Sequence, residues 1–97
     1  MAASTLLLKK LMSNQARVVA ELHTHSTYSD GAYSPRELAG RLRDAGVSFW
    51  SLTDHDTCRG CPESAEVAAE FGIRFVAGIE ISAWHGRSIH VLGYGVR

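Results

Sequence analysis

Residues 34–53, SPRELAGRLRDAGVSFWSLT, combine a complete helix with a buried strand. Ser34 and Glu37 form a capping box, with a proline in the first helical position. Apolar residues then recur at helical spacing as far as a stop at Gly46. Residues 47–53 follow as a β-leaning apolar run, typical of a strand buried on both faces.

The same criteria predict a second helix and three further strands along the chain. The strands are expected at residues 17–22, 73–77 and 88–92, and the helix at residues 62–71. Strands that are separated by helices of this length form βαβ units, whose strands lie parallel in one sheet. We therefore predict an α/β fold with parallel strands and two crossover helices.

Composition excludes several classes of protein. The chain has 97 residues, of which 45% are hydrophobic and 21% charged, which is ordinary for a single globular domain. Ten basic and ten acidic side chains give a net charge of zero, so we expect no binding to long duplex nucleic acid or to anionic membranes. No apolar run approaches the roughly 18 residues that a membrane span requires. We expect a cytoplasmic chain.

The N-terminal residues and the cysteines carry weaker signals. Residues 1–16 contain no acidic side chain, and we expect a disordered or frayed extension rather than a signal peptide, with Met1 or Met12 as the start. Cys58 and Cys61 have C-x-x-C spacing, which a redox pair or half of a zinc site would use. Two free thiols without such a role are the more common case in a reducing compartment.

Polar residues that could bind a metal begin at the end of the first predicted strand. His23 and His25 lie two residues apart, so in a strand both imidazoles project from one face about 6.6–7 Å apart. Asp30 follows in a short loop and could fold back to add a carboxylate oxygen. Taken alone, such a pair is more often two ordinary histidines.

The pattern repeats after each later strand. His55 stands between Asp54 and Asp56 after the second strand, Glu80 follows the third, and His90 lies within the fourth. Each has an ordinary structural interpretation, such as a turn former, a solvated charge or a strand histidine. Because sites in parallel α/β proteins form at the carboxyl ends of the strands, their joint recurrence at one edge favours a metal site.

Four blocks of this sequence resemble the PHP (polymerase and histidinol phosphatase) family, and they come in the family's order. The blocks are residues 21–31 (ELHTHSTYSDG), 52–57 (LTDHDT), 78–82 (GIEIS) and 90–94 (HVLGY). The similarity covers roughly residues 18–95. It is strongest to small stand-alone phosphoesterases that act on nucleoside 3′,5′-bisphosphates or on the 5′ ends of short RNA.

The resemblance implies a distorted (β/α)7 barrel with up to three divalent metal ions, usually manganese, zinc or iron. The implied ligands are His23 and His25 for the first metal, Glu80 as a bridge between the first and second, His90 for the second, and Asp30 with His55 for the third. A metal-bound hydroxide would attack phosphorus, so no side chain is expected to act as nucleophile. Asp54 and Asp56 are candidates for orienting the His55 imidazole.

The resemblance also implies that residues 17–97 are a partial PHP domain, the N-terminal half of the barrel. Relatives continue past Gly95 with further metal ligands and phosphate-binding arginines. Two hypotheses therefore stand: a metal-dependent phosphoesterase acting on a phosphorylated small molecule or short RNA, or a non-catalytic fragment that binds a metal or a partner. We also expect the unfinished sheet edge to favour self-association.

Overall fold

The computed structural model describes residues 18–95. The extension predicted at residues 1–16 lies outside the described residues. Within them the chain forms two helices and five strands. In chain order these are β1 (Ala20–Thr24), α1 (Pro35–Asp44), β2 (Phe49–Leu52), α2 (Cys61–Phe71), β3 (Arg74–Phe75), β4 (Gly78–Trp84) and β5 (Ser88–Tyr94).

The first three strands form a parallel sheet in the order β1-β2-β3. Glu21 lies opposite Trp50, which in turn lies opposite Phe75. Helix α1 connects β1 to β2 and α2 connects β2 to β3, so each parallel pair is joined by a helix. The prediction of an α/β fold with parallel strands and two crossover helices is confirmed.

Both helices have local start and stop signals of the expected kinds. The Ser34 hydroxyl accepts a hydrogen bond from the Glu37 amide at 3.2 Å, as the capping box predicts. Helix α2 ends at Gly72, whose φ of 71° is left-handed and lets its N–H reach the last carbonyls of the helix. In the described part of the chain, 18–95, neither helix is long and apolar enough to cross a bilayer.

The hydrophobic core lies between the parallel sheet and the two helices. Its buried members are Ala39, Trp50, Leu52, Val67, Ala68 and Ile73. Trp50 is fully buried, and its indole N–H donates to the Thr24 hydroxyl at 2.8 Å, so the polar atom of this large side chain is satisfied. The core therefore ties β1 to β2 close to the point where His23 and His25 emerge.

The last two strands differ from the sequence prediction. We predicted a fourth parallel strand at residues 88–92, but β5 pairs antiparallel with β4 in a separate two-stranded sheet. Only residues 85–87 separate the two strands, which suffices for a hairpin but not for the dozen or more residues of a parallel crossover. The strand predicted at residues 73–77 is likewise shorter, since β3 contains only Arg74 and Phe75.

The hairpin is joined to the parallel sheet through Glu80 and His55, which form an isolated parallel bridge. The Glu80 N–H donates to the Asp54 carbonyl at 3.0 Å, and the Asp56 N–H donates to the Glu80 carbonyl at 2.9 Å. The start of β4 thus lies beside the end of β2. This contact brings residues that are far apart in sequence to one edge of the molecule.

Gly78 permits that close approach, and a larger residue there is expected to destabilise the fold. A Cβ atom at this position would lie 2.4 Å from the Ser51 hydroxyl and 3.1 Å from the Leu52 carbonyl oxygen. We expect Gly78→Ala to lower the free energy of unfolding by about 1–3 kcal/mol, measured by chemical denaturation. The matched change Gly40→Ala meets only Phe71, at 3.9 Å, and should stabilise helix α1 by about 0.5–1 kcal/mol. Equal stability of the two variants would contradict this account of Gly78.

Candidate metal centre

Six predicted site residues converge at the edge where β1 and β2 end and the hairpin begins. They come from five segments of the chain, since His23 and His25 share the end of β1. His23 lies in β1, His25 just after it, Asp30 in the following loop, His55 after β2, Glu80 in β4 and His90 in β5. The sequence analysis placed Glu80 after a strand, whereas it is the third residue of one.

The Glu80 carboxylate lies at the centre of this cluster. Its Oε1 atom lies 2.5 Å from His23 Nε2 and 3.0 Å from His25 Nε2. Its Oε2 atom lies 2.5 Å from His90 Nδ1 and 3.4 Å from His55 Nδ1. Four imidazoles therefore surround one carboxylate, two of them near each oxygen.

Asp30 adds a second carboxylate on the far side of two of these rings. Its Oδ1 lies 3.0 Å from His25 Nδ1, and its Oδ2 lies 3.3 Å from His55 Nε2. The His25 and His55 rings thus each stand between Asp30 and Glu80. Their centroids are 4.3 Å apart. Each of these two rings therefore directs one nitrogen toward Asp30 and the other nitrogen toward Glu80.

The geometry divides the six residues into three overlapping groups, and in each the candidate ligand atoms lie within 4.8 Å of one another. The groups are His23, His25 and Glu80; His25, Asp30 and His55; and His55, Glu80 and His90. They contain the pairings that the resemblance implied. The geometry also brings His25 close to the Asp30–His55 pair and His55 close to the Glu80–His90 pair.

The donor atoms suit a divalent cation of the borderline or hard type. Imidazole nitrogens and carboxylate oxygens are the usual ligands of zinc, iron and manganese. His55 Nδ1 is buried and has no hydrogen-bond partner, although it lies 3.4 Å from Glu80 Oε2. A buried nitrogen without a partner costs about 1–3 kcal/mol, and a metal ion would satisfy it. The residues therefore fit a bound metal.

Electrostatics keep the central carboxylate ionised. The hydrogen bond from His90 is the largest influence and lowers the pKa of Glu80; burial opposes it, and hydrogen bonds from His23 and His25 lower the pKa further, to about 2. Glu80 is only 4% exposed, yet it is charged at neutral pH. Metal ligation requires this deprotonated form.

Asp54 organises the loop that carries Asp30. This carboxylate is 1% exposed and accepts three hydrogen bonds, from the Ser26 amide at 2.6 Å, the Ser26 hydroxyl at 2.7 Å and the Ser29 hydroxyl at 2.7 Å. It was predicted to orient His55, but its hydrogen bonds within residues 18–95 go to this loop. Ser26 and Ser29 were not singled out from the sequence. In the sequence they are marked only by a hydroxyl-rich stretch, residues 26–29, that lies between the candidate ligands His25 and Asp30.

The loop itself is a tight turn closed by Gly31. The Gly31 N–H donates to the Ser26 carbonyl at 2.9 Å, and a Cβ atom on residue 31 would lie only 2.1 Å from the His25 carbonyl oxygen. Only glycine allows this approach without a backbone shift. The turn therefore places Asp30 next to His25.

Asp56, the second predicted supporting carboxylate, acts on the hairpin. Its φ of 55° is left-handed, which is uncommon for a residue other than glycine but tolerated by aspartate. Its Oδ1 accepts a hydrogen bond from the Ser82 amide at 2.8 Å. Asp56 thus holds β4 against the segment that carries His55.

The two cysteines lie beneath the cluster rather than in it. Cys61 is buried, and its thiol points at the Gly78 carbonyl at 3.6 Å, while the Cys58 thiol approaches the same carbonyl at 3.9 Å. Burial raises the pKa of the Cys61 thiol. A thiol held protonated is a poor nucleophile, so the redox interpretation of C-x-x-C loses support.

Comparison of the sequence with known proteins finds one domain family and relatives with phosphate-ester substrates. Residues 21–92 match the PHP domain. The chain is 49% identical over 74 residues to a 5′-3′ exoribonuclease of Haemophilus influenzae, a match that covers 75% of this chain and 27% of that protein. It is 40% identical over 77 residues to a 3′,5′-nucleoside bisphosphate phosphatase of Chromobacterium violaceum, covering 78% of this chain and 27% of that protein.

Solved structures agree with these sequence matches. A Chromobacterium violaceum amidohydrolase with bound sulfate superimposes with a TM-score of 0.78 at 40% identity, over 80% of this chain and 28% of that one. A Bifidobacterium adolescentis protein described as a metal-dependent phosphoesterase gives a TM-score of 0.74 at 33% identity, over 79% and 27%. The chain thus spans a little over a quarter of the relatives that it matches.

Removing the charge of Asp54 tests its role as organiser of the loop. Asp54→Asn exchanges a buried acceptor of three hydrogen bonds for an amide that cannot accept them all. We expect a loss of about 1–3 kcal/mol in stability and about 10–100-fold weaker binding of Mn²⁺ by calorimetry. Asp44→Asn is the control, because that side chain is 74% exposed. If both variants bind Mn²⁺ as the unmodified chain does, Asp54 does not support the cluster.

Proposed function

The chain belongs to the PHP domain family, and we propose that it forms the metal centre of a phosphoesterase that hydrolyses phosphate monoesters of nucleotides or short RNA. One observation carries this proposal: four imidazoles and two carboxylates from separate segments lie in three groups with ligand atoms within 4.8 Å. Buried charge and clustered histidines are costly to a fold unless they are paired or bind an ion.

We assign the metal ligands as the resemblance implies. His23 and His25 would hold the first ion, Glu80 would be shared by the first and second, His90 would contribute to the second, and Asp30 with His55 would hold the third. The ions would be Mn²⁺, Zn²⁺ or Fe²⁺, up to three in a complete site. When bound, such ions neutralise phosphoryl oxygens and make a hydroxide available near neutral pH.

The protein's own contribution is placement. Glu80 is nearly inaccessible to water, whereas the side chains of His23 and His90 are 55% and 48% exposed and that of Asp30 is 65% exposed. The cluster thus has a buried floor and an open rim. A phosphate group could approach from the rim while the floor keeps the ligands at fixed spacing.

The substrate class is inferred from the relatives. The protein that is 49% identical is named for exoribonuclease activity, and the one that is 40% identical for nucleoside bisphosphate phosphatase activity. A nucleoside bisphosphate carries phosphate monoesters, whereas the nucleotides of RNA are joined by phosphodiesters, so the two substrates share a phosphate ester of a nucleoside. We assign the same class of substrate to this chain.

A second candidate is a non-catalytic fragment that binds a metal or a partner. The exposed rim of the cluster favours it, because an imidazole that is 55% exposed leaves part of any ion's surroundings to water or to another polypeptide. The chain spans only 27% of the relative to which it is 40% identical. Another polypeptide, corresponding to the remainder of that relative, could supply further metal ligands. Metal binding without hydrolysis distinguishes this candidate from the first.

Hydrolysis and metal binding should both depend on His55. We expect the purified chain to bind Mn²⁺ and to release phosphate from adenosine 3′,5′-bisphosphate. His55→Ala should reduce phosphate release by at least about 100-fold and weaken Mn²⁺ binding, because it removes a ligand shared by two groups. His85→Ala should change neither, since His85 lies in the hairpin turn outside the cluster.

The outcome of this experiment distinguishes the two candidate functions and tests whether the metal centre exists. Mn²⁺ binding that His55→Ala weakens, without phosphate release, would reject the phosphoesterase in favour of the binding fragment. Equal Mn²⁺ binding by both variants and the unmodified chain would reject the metal centre itself.

We further propose that two copies of the chain associate, not through the open sheet edge that the sequence suggested, but through the exposed apolar face of the hairpin. One face of the hairpin is wholly apolar, and its members are Ile79, Ile81, Ala83, Ile89 and Val91. Ile81 and Val91 lie opposite each other and are 46% and 51% exposed. The face carries no charged residue, so two copies can meet there without like-charge repulsion.

Sedimentation velocity tests this association. The unmodified chain should form dimers as concentration rises, and Ile81→Lys should shift it to the monomer because a lysine cannot be buried there without a partner. Ala65→Lys adds the same charge at an exposed position of α2 and should leave the dimer intact. A chain that stays monomeric at every concentration would contradict the proposal.

A further inference from the structure

The hairpin places one large aromatic side chain on the face that carries the metal cluster. In the antiparallel register Glu80 lies opposite Leu92, Ser82 opposite His90, and Trp84 opposite Ser88. Side chains two residues apart share a face of a strand, so Glu80, Ser82 and Trp84 project from the same side. Trp84 therefore lies on the face of Glu80 and His90, toward the hairpin turn.

The Trp84 side chain is 77% exposed, more than any other large hydrophobic residue among residues 18–95. Its neighbours on this face are the small hydroxyl residues Ser82 and Ser88. In the described part of the chain no aromatic ring or cation stacks on the indole. By contrast, the other tryptophan, Trp50, is fully buried in the core.

The distance between Trp84 and the cluster is short. Trp84 and His90 are diagonal neighbours on one face of the antiparallel pair. The backbone positions of such neighbours are about 7–8 Å apart. The Ser88 hydroxyl lies 3.3 Å from His90 Nε2, so the residue opposite Trp84 contacts a member of the cluster directly. A ligand whose phosphate lies at the cluster could therefore reach the indole with its other end.

We propose that Trp84 is a stacking platform for the base of a nucleotide substrate and thereby selects nucleotides over other phosphate monoesters. This inference rests on the proposed function, since it takes the phosphate to lie at the metal cluster. A nucleotide separates its phosphate from its base by one sugar ring, which matches the spacing between His90 and Trp84. Stacking tolerates any base, because every base has a π-face.

Binding measurements test the role of Trp84 independently of turnover. Adenosine 5′-monophosphate and ribose 5-phosphate, which lacks the base, are titrated by calorimetry into the 97-residue chain with Mn²⁺, each as its phosphonate analogue so that the chain cannot hydrolyse it. Adenosine 5′-monophosphate should bind more tightly. Trp84→Ala should weaken its binding by about 10-fold, within the range of roughly 5–150-fold expected for one stacked base, and should leave ribose 5-phosphate unaffected.

Two further variants separate stacking from a structural effect. Trp84→Phe keeps an aromatic face and should recover most of the affinity for adenosine 5′-monophosphate. His85→Ala, in the turn of the same hairpin, should change binding of neither ligand. Quenching of indole fluorescence by adenosine 5′-monophosphate should be lost in Trp84→Phe, since only the buried Trp50 then remains.

The outcomes separate this inference from the proposed function. Equal affinity for the two ligands, or an equal loss of both in Trp84→Ala, would overturn the role of Trp84. Base-selective binding that Trp84→Ala weakens, without phosphate release from any monoester, would support the role of Trp84 and reject the hydrolytic function. Failure of the unmodified chain to bind either ligand would overturn both.

Discussion

The pairing of the Glu80 carboxylate with four imidazoles is the interaction on which the site depends. This carboxylate is buried at the junction of the parallel sheet and the hairpin, and its backbone bonds to Asp54 and Asp56 form that junction. A buried carboxylate is stable only when its oxygens are paired or hydrogen-bonded. The histidines that satisfy it come from strands and loops that the fold must first bring together, so the geometry of the cluster and the docking of the hairpin depend on each other.

Around this centre, carboxylates of similar chemistry have different tasks because their surroundings differ. Glu80 and Asp30 face the imidazoles, while Asp54 is buried among Ser26 and Ser29 and Asp56 accepts from the Ser82 amide. The first pair can ligate an ion, and the second pair fixes the backbone of the segments that carry the ligands. Such support matters because a displaced ligand weakens a metal site as much as a missing one.

The two faces of the hairpin have opposite characters. One carries Glu80, His90 and Trp84 toward the cluster, and the other exposes Ile81 and Val91. A two-stranded sheet is marginally stable alone, so this hairpin relies on its contact with the end of β2 and on whatever covers its apolar face. The chain spans about a quarter of its relatives, and in the part that the structure describes this apolar face is exposed at Ile81 and Val91.

The sequence alone determined the helices, the parallel direction of the first three strands and the identities of the six clustered residues. Caps such as Ser34 and Gly72 act within one turn, and the spacing of His23 and His25 is local, so neither needs the tertiary structure. The hairpin was missed because apolar periodicity does not report strand direction, and the short turn at residues 85–87 was the only local clue. Only the tertiary structure decided that Asp54 holds the Ser26 loop and that Trp84 shares a face with His90. Both relations depend on contacts or register between segments distant in sequence, where one residue of slip would turn every side chain to the opposite face.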